Sequence, residues 1–541
     1  MFPDKASLSS KYAVGQKLLL AFAGKGWPSP EISEALRLYR PGGITLFRAL
    51  NIDNPAQVRQ LTQGLQQAAR EIGLPPVLIA ADQEGGQLMA VGEGTTPLPG
   101  NLALGATGSV ELARQAGVVL GRELAAMGIN LNYAPCCDVN VNPQNPVIGT
   151  RSFGEDPREV AELSAALVAG LQSAGVAATA KHFPGHGDTA SDSHHGIPVV
   201  PHSMERLRKV ELPPFVASIQ AGVKLVMTAH LALPALDGRT DLPATLSPTI
   251  LKGLLRKELG FSGVIVTDAM NMWAIRQGEA LGQEAVSATA AGADLLLLSP
   301  DPADHGRVYN SLVQAVQQGQ LDAADIQASA ERIAALKDWL ATRGTPPDLS
   351  VVGCAAHQAV ATEIATRSIT LVRDQAGLLP LHLQAGGRLA VILPRSLDLT
   401  PADTSSYVLP ELAKALRAYY SNVDEFIVPH APQEQDIAAL LEQVRGYDIL
   451  VLGTLNAFAQ PGQAALARAL LKTGIPTVVA ALRMPYDLMA FPEAPTYLCA
   501  YSILKPSMHA LAKAVCGQAD FQGHLPVSIP GLFATGHGQT A

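Results

Sequence analysis

The chain has 541 residues, of which 48% are apolar and 16% charged, and it carries a formal net charge of −8. That length exceeds one compact domain and predicts two, and the low charge density excludes a largely disordered chain. The negative balance offers no general attraction for nucleic acid or an anionic membrane, so neither is expected as a partner.

Five cysteines, Cys136, Cys137, Cys354, Cys499 and Cys516, are odd in number and lack zinc spacing. They read as reduced thiols of a cytoplasmic protein rather than a disulfide framework, and the vicinal pair Cys136-Cys137 as packing rather than a redox switch. Near the N-terminus Asp4 comes early and Lys17 directly precedes the short apolar run 18–23, a pattern of fold rather than of a signal peptide. No uncharged apolar run approaches the ~18 residues of a membrane span.

In chain order, apolar runs at 18–23, 43–47, 77–81, 129–134, 176–180, 224–229, 263–267 and 294–298 predict strands, and the patterns at 55–72, 110–127 and 157–174 predict helices between them. The strand runs are apolar along their length, which suits a parallel sheet buried on both faces. Their alternation with helices predicts a (β/α)8 TIM-type barrel over residues 1–340. A Gly/Pro-rich stretch at 342–350 marks a linker, taken as 341–365. Residues 366–541 then predict a smaller α/β sandwich, with strands at 388–393, 425–428, 448–452, 477–482 and 496–500. It holds no comparable polar cluster and is expected to be mainly structural.

Polar residues follow the predicted barrel strands. Asp82-Gln83-Glu84-Gly85-Gly86 follows the third, Asp138 the fourth, His230 the sixth and Asp268 the seventh. Barrel enzymes build their sites at these strand ends. After the fifth strand comes AKHFPGHGDTASDSHHGIPVV, residues 180–200, where Lys181, His182, His186, Asp188, Asp192, His194 and His195 gather among glycines and prolines.

Asp268, set at a rigid strand end, is a candidate nucleophile or base, against the plainer reading of a helix cap. Asp192 and His194 stand two apart, so the carboxylate can orient the imidazole for proton transfer, with His195 as the other choice. The same histidines and aspartates are also possible metal ligands. However, Pro184, Gly185 and Gly187 break the helix that the HxxxH spacing would need, so no metal is expected.

KHFPGHGDTASDSHHGIP, together with VIVTDAMNM, RSFGEDP, DQEGG and PGNLALGA, resembles the β-N-acetylglucosaminidases of glycoside hydrolase family 3 over the first ~340 residues. The segment entered through RSITLVRDQAGLLPL is similar, more loosely, to that family's C-terminal sandwich. The resemblance implies a retaining exo-acting β-N-acetylhexosaminidase with Asp268 as nucleophile and Asp192–His194 as the acid/base dyad. It implies sugar contacts from Asp82, Arg151, Lys181 and His182, and no cofactor or metal. The implied partner is a GlcNAc-containing saccharide or muropeptide of peptidoglycan recycling, met by a monomer. A phosphorylase or β-glucosidase on the same site, and a non-catalytic sugar-binding protein, are the alternatives. One departure from the resemblance stands out: the family commonly carries arginine four residues after DQEGG, where this chain has Ala90.

Overall fold

A computed structural model describes residues 10–190 and 196–539. Eight short parallel strands form the first sheet: β1 (Leu18–Leu20), β2 (Gly43–Thr45), β3 (Leu78–Ala81), β4 (Leu131–Asn132), β5 (Ala177–Phe183), β6 (Leu225–Thr228), β7 (Val264–Thr267) and β8 (Leu296–Leu297). Each pairs with its neighbours in sequence, β8 returns to β1, and a bridge between Val266 and Leu295 joins the remaining edge, so the barrel is nearly closed.

The apolar runs explain themselves by alternation within this barrel. Leu19, Leu78, Leu131, Leu225, Val264 and Leu297 pack together inside it. Leu18, Leu20, Ile44, Ile79, Val226 and Ile265 belong to the larger core shared with the surrounding helices. Each fully buried side chain of this size contributes roughly 2 kcal/mol, and both faces of every strand need one. Helix Ala323–Ala341 adds Ile333 and Leu336 to the interior cluster. Lys17, just before β1, donates to Ser329 of that helix at 2.7 Å, so the helix covers the N-terminal end of the barrel.

Two local devices shape the opposite end. DQEGG folds into a hairpin of Gln83–Gly85 and Leu88–Met89, an element the apolar pattern does not reveal. Gly85 and Gly86 turn it with φ of 86° and 63°, and a Cβ on Gly86 would lie 3.0 Å from the Pro99 carbonyl. The PGNLALGA segment is therefore pressed against DQEGG. A Cβ on Gly105 would come 1.7 Å from the Phe153 carbonyl, so RSFG is pressed on the same helix, Asn101–Thr107.

β5 is the second device. It runs to Phe183, three residues beyond the predicted 176–180, because its pairing with β6 slips between Ala180 and Phe183. Such a bulge re-aims side chains, and it places Lys181 and His182 on the strand rather than at the head of a loop.

The second sheet has six strands: β9 (Thr370–Asp374), β10 (Leu389–Pro394), β11 (Val423–Val428), β12 (Ile449–Thr454), β13 (Thr477–Ala481) and β14 (Thr496–Cys499), in the order β9-β14-β13-β12-β10-β11. All neighbours are parallel except β9 on β14, an antiparallel edge strand the sequence pattern does not single out. Between the sheets, helix Ala355–Ser368 begins within residues 341–365 and packs against helices Asn101–Thr107 and Val110–Ala126. No helix among the described residues is long and apolar enough to cross a membrane.

The buried carboxylate of Glu123 ties this connector to the barrel, accepting from Thr96 Oγ1 at 2.6 Å and from the Gly353 N–H and His357 Nδ1, both at 2.9 Å. Glu123→Ala leaves those donors buried without an acceptor. It is expected to lower unfolding stability by about 3 kcal/mol, read as a fall in the urea midpoint; an unchanged midpoint would mean that the connector is held by packing alone.

Candidate active site

At the C-terminal ends of the barrel strands lies a cavity of about 780 Å³. Asp82, Arg151, Lys181, His182 and Asp268 all line it, so five of the residues singled out in the sequence converge. Asp192, His194 and His195 lie outside the described residues.

The charges in the cavity floor are cross-linked. Lys181 Nζ stands 2.6 Å from both Asp82 Oδ1 and Glu84 Oε1. Arg151 grips Glu84 with two parallel bonds, Nε to Oε2 at 3.0 Å and Nη2 to Oε1 at 2.8 Å, the geometry that makes guanidinium–carboxylate pairs strong and directional. Glu84 was noted only as part of the DQEGG motif and given no role of its own. Its role could have been sought in a carboxylate two residues from Asp82, on the same side of an extended strand. Burial pushes the Glu84 carboxyl up, but Arg151 and Lys181 outweigh it and bring it down to about 2. Burial likewise pulls Lys181 down, and Asp82 and Glu84 outweigh it, so the ammonium is held charged.

A second group sits beside it. His182 Nδ1 lies 2.7 Å from Asp138 Oδ2, and the His186 backbone N–H donates to Asp138 Oδ1 at 2.6 Å. Cys136 Sγ donates to Asp138 Oδ2 at 3.1 Å. Burial opposes the Asp138 charge, yet His182 and His186 hold its carboxyl well below the usual range. Asp138 thus fixes the ring of His182 from behind, as orienting carboxylates do. Its place after the fourth strand was visible, though not its partner. The thiols of Cys136 and Cys137 are buried and burial pushes both up, so they act as small packed groups rather than reactive ones.

Asp268 caps β7. Its Oδ1 accepts from the Ala269 N–H at 2.7 Å. Burial would raise this carboxyl, but His182, His230, the Ala269 N–H and Lys181 together hold it below its ordinary range, so it is ionised. His230, the residue after β6 noted in the sequence, is held by Thr245 Oγ1 at 2.7 Å and the Ala269 carbonyl at 3.1 Å.

The described members of the possible metal set do not share one centre. His182 is held by Asp138, His186 by Thr189 Oγ1 at 2.8 Å, and Asp188 by His202 Nε2 at 2.7 Å. Two small groups, Cys136–Asp138–His182 and Asp188–His202–Glu211, do have donor atoms within 4.8 Å of one another. In the first, hydrogen donors already fill the carboxylate. Beside the second, the Arg206 guanidinium stands 3.8 Å from Asp188 and 3.5 Å from Glu211 and supplies the positive charge.

The second domain also reaches the cavity, which corrects the expectation that it is mainly structural. Asp398, Asp403, Thr404 and Tyr407 line the wall. The Thr404 N–H and Oγ1 both donate to the Gln87 carbonyl, at 2.7 and 2.8 Å, and Arg483 donates to the Gln87 side chain. Arg48, which the sequence reading passed over, lies 4.0 Å over the Tyr407 ring and donates to the Met89 carbonyl at 2.9 Å. Ala90 lines the same wall, next to the Met89 carbonyl that Arg48, at the start of the short helix Arg48–Asn51 after β2, binds.

A sequence profile of the glycosyl hydrolase family 3 N-terminal domain matches residues 14–336. The chain is similar to a family 3 β-N-acetylglucosaminidase structure from Paenibacillus sp. str. FPU-7, with a TM-score of 0.91 and 39% identity over 97% of this chain and 99% of that one. Beta-hexosaminidase A of Pseudoalteromonas piscicida is 33% identical over 96% of this chain and 97% of its own length. A β-N-acetylglucosaminidase/β-glucosidase of Cellulomonas fimi is 31% identical over 90% of this chain and 88% of its own length.

The charge network sets an acid sensitivity. The stability Glu84 contributes is complete above its unfolded value of ~4.3 and is lost as pH falls toward the folded value of about 2. That difference corresponds to roughly 3 kcal/mol. Glu84→Gln is expected to be less stable at pH 7 and to lose less on acidification through this window. Parallel stability–pH curves for the two proteins would contradict it. Ending the chain after Leu340 removes one cavity wall and is expected to lower kcat/KM about tenfold or more in the fraction that circular dichroism shows folded; full activity would return the second domain to a structural role.

Proposed function

The chain belongs to glycoside hydrolase family 3, and as a glycoside hydrolase of that family we propose that it is a retaining exo-β-N-acetylglucosaminidase releasing terminal β-linked GlcNAc. The observation that carries this reading is the ionised Asp268 at the end of β7, facing a cavity whose other polar groups are fixed donors and acceptors. Such a carboxylate is suited to attack an anomeric carbon. The close likeness to a β-N-acetylglucosaminidase over nearly the whole chain supports the choice of sugar.

Each residue then has a role. Asp268 displaces the leaving oxygen and forms a glycosyl ester. His194, oriented by Asp192, protonates that oxygen and next takes a proton from the water that releases the sugar. The general two-carboxylate arrangement is thereby replaced by one carboxylate and one His–Asp pair. Asp82, Lys181, Arg151 and His182 hold the hydroxyls of the non-reducing sugar. Their mutual ion pairs keep them in place before substrate arrives, so little reorganisation accompanies the charge that develops at the anomeric centre. The leaving portion is a muropeptide of peptidoglycan recycling or a related GlcNAc glycoside, and the free cysteines agree with a reducing compartment.

Hydrolysis of 4-nitrophenyl N-acetyl-β-D-glucosaminide, beside the glucoside, tests this reading. Wild type is expected to prefer the N-acetyl substrate, to be indifferent to chelator, and to release free GlcNAc at the same rate with and without phosphate. Asp268→Ala is expected to lose at least about 10³-fold in kcat. A sugar phosphate product would make the enzyme a phosphorylase, and activity surviving in Asp268→Ala would remove that residue from the nucleophile's role.

A further inference from the structure

The cavity changes character between its floor and its mouth. The floor is polar and buried; the mouth carries two exposed aromatic rings. Trp273 is 79% exposed, and Tyr407 is 55% exposed. Both line the same cavity as Asp268. A single exposed aromatic is ordinary on a surface, but aromatic rings at the rim of a polar cavity offer a face on which the apolar side of a sugar ring can pack.

Trp273 is held out rather than left over. Its neighbours Met272, Ala274 and Ile275 are buried. The Gln277 amide donates to the carbonyls of Met270, Met272 and Ile275, at 2.9, 3.2 and 2.6 Å, and fastens the turn from within. The Met270 N–H is anchored on the Leu297 carbonyl at 2.8 Å. Tyr407 is steadied by the Arg48 guanidinium on its face. Trp273 follows β7, and Arg48 follows β2, three strands away around the barrel, so the two rings belong to separate parts of the rim. The charges at this rim are balanced, with Arg48 near Asp398 and Asp403 paired to Arg483 at 2.8 Å.

We propose that Trp273 and Tyr407 form the receiving site for the leaving group, and that the ligand is a pyranose ring whose C–H face packs on the Trp273 indole. The inference rests on the glycosidase reading and deepens it: the favoured substrate is an oligosaccharide rather than a small glycoside. A flat aromatic wall and a balanced charge suit a ring with an apolar face and a hydroxylated edge. A neutral N-acetylglucosamine ring and a muramyl ring share that face.

The test compares N-acetyl-β-D-glucosaminyl fluoride, whose leaving group is too small to reach the rim, with di-N-acetylchitobiose and with GlcNAc-β-1,4-anhydro-N-acetylmuramic acid. Wild type, Trp273→Ala, Trp273→Phe and Tyr407→Ala are assayed on each. For Trp273→Ala the ratio of disaccharide to fluoride kcat/KM is expected to fall at least about tenfold, mainly through KM, with most of it restored in Trp273→Phe; Tyr407→Ala is expected to lower the same ratio by a smaller factor. Loss on chitobiose alone or on the muramyl substrate alone identifies which ring is received, and loss on both identifies the shared face. An unchanged ratio, including one produced by an equal fall on fluoride and disaccharides, overturns the proposal while the glycosidase reading stands. Failure of wild type to hydrolyse the fluoride and both disaccharides overturns the two together.

Discussion

The carboxylate of Glu84 is the constraint on which the cavity depends. It is almost wholly enclosed, and it meets both Arg151 and Lys181. A buried carboxylate without partners is very costly, and so is a buried guanidinium or ammonium. None of the three can leave without stranding the others. Because each comes from a different strand end, the ion pairs fix the relative positions of the hairpin after β3, the turn after β4 and the bulged end of β5. The close approaches of Gly86 and Gly105 to neighbouring backbone serve the same end, since they let these segments sit near enough for the charges to meet.

A neighbouring set of groups, joined to that network through Lys181, explains how a carboxylate can stay ionised at a strand end lined with apolar residues. Burial alone would favour the neutral acid at Asp268. The positive side of the balance comes first from His182 and His230, with the Ala269 N–H and Lys181 adding to it. His182 is in turn held by Asp138, which is held by the backbone N–H of His186. The electrostatics of Asp268 are therefore set by groups that do not move independently, and that is the condition under which charge stabilisation adds most to a rate.

The barrel was legible because its strands are buried on both faces. Doubly apolar runs at eight places, six of them followed directly by a polar residue, admit few other arrangements. Asp82, Lys181, His182 and Asp268 were legible for the same reason, since they stand at the ends of those runs. Glu84 and Asp138 were seen only as letters in a motif or after a strand, because their work depends on partners 67 and 44 positions away. Tyr407 and Thr404 had no signal, whereas Arg48 directly follows the run 43–47 and was passed over. Thr404 meets Gln87 across 317 positions, and no local pattern encodes such a contact. The bulge in β5 was hidden because Lys181 and His182 are polar, and polarity at the end of a strand reads as the start of a loop. The edge strand β9 was hidden because two of its five residues, Arg373 and Asp374, are charged and only partly buried, which shortens its apolar run.

Both ends of the segment that carries Asp192 and His194 are anchored in the described structure. On one side Asn145 Nδ2 donates to the carbonyls of His186 and Gly187 at 2.8 and 3.1 Å. On the other, the Val200 N–H donates to the Ala232 carbonyl at 2.9 Å, and the Ala232 N–H to the Pro198 carbonyl at 2.8 Å. The Asp188–His202 bond at 2.7 Å joins the two sides directly. Closing a loop costs entropy that grows slowly with its length, and most of that cost is met once its ends are fixed. Here the barrel fixes them by the Asn145 amide, two backbone bonds and one side-chain pair, close in sequence to the strand that carries Lys181 and His182. Asp268 and the ion pairs around Lys181 thus belong to the barrel, and so do both attachments of the segment that carries Asp192 and His194.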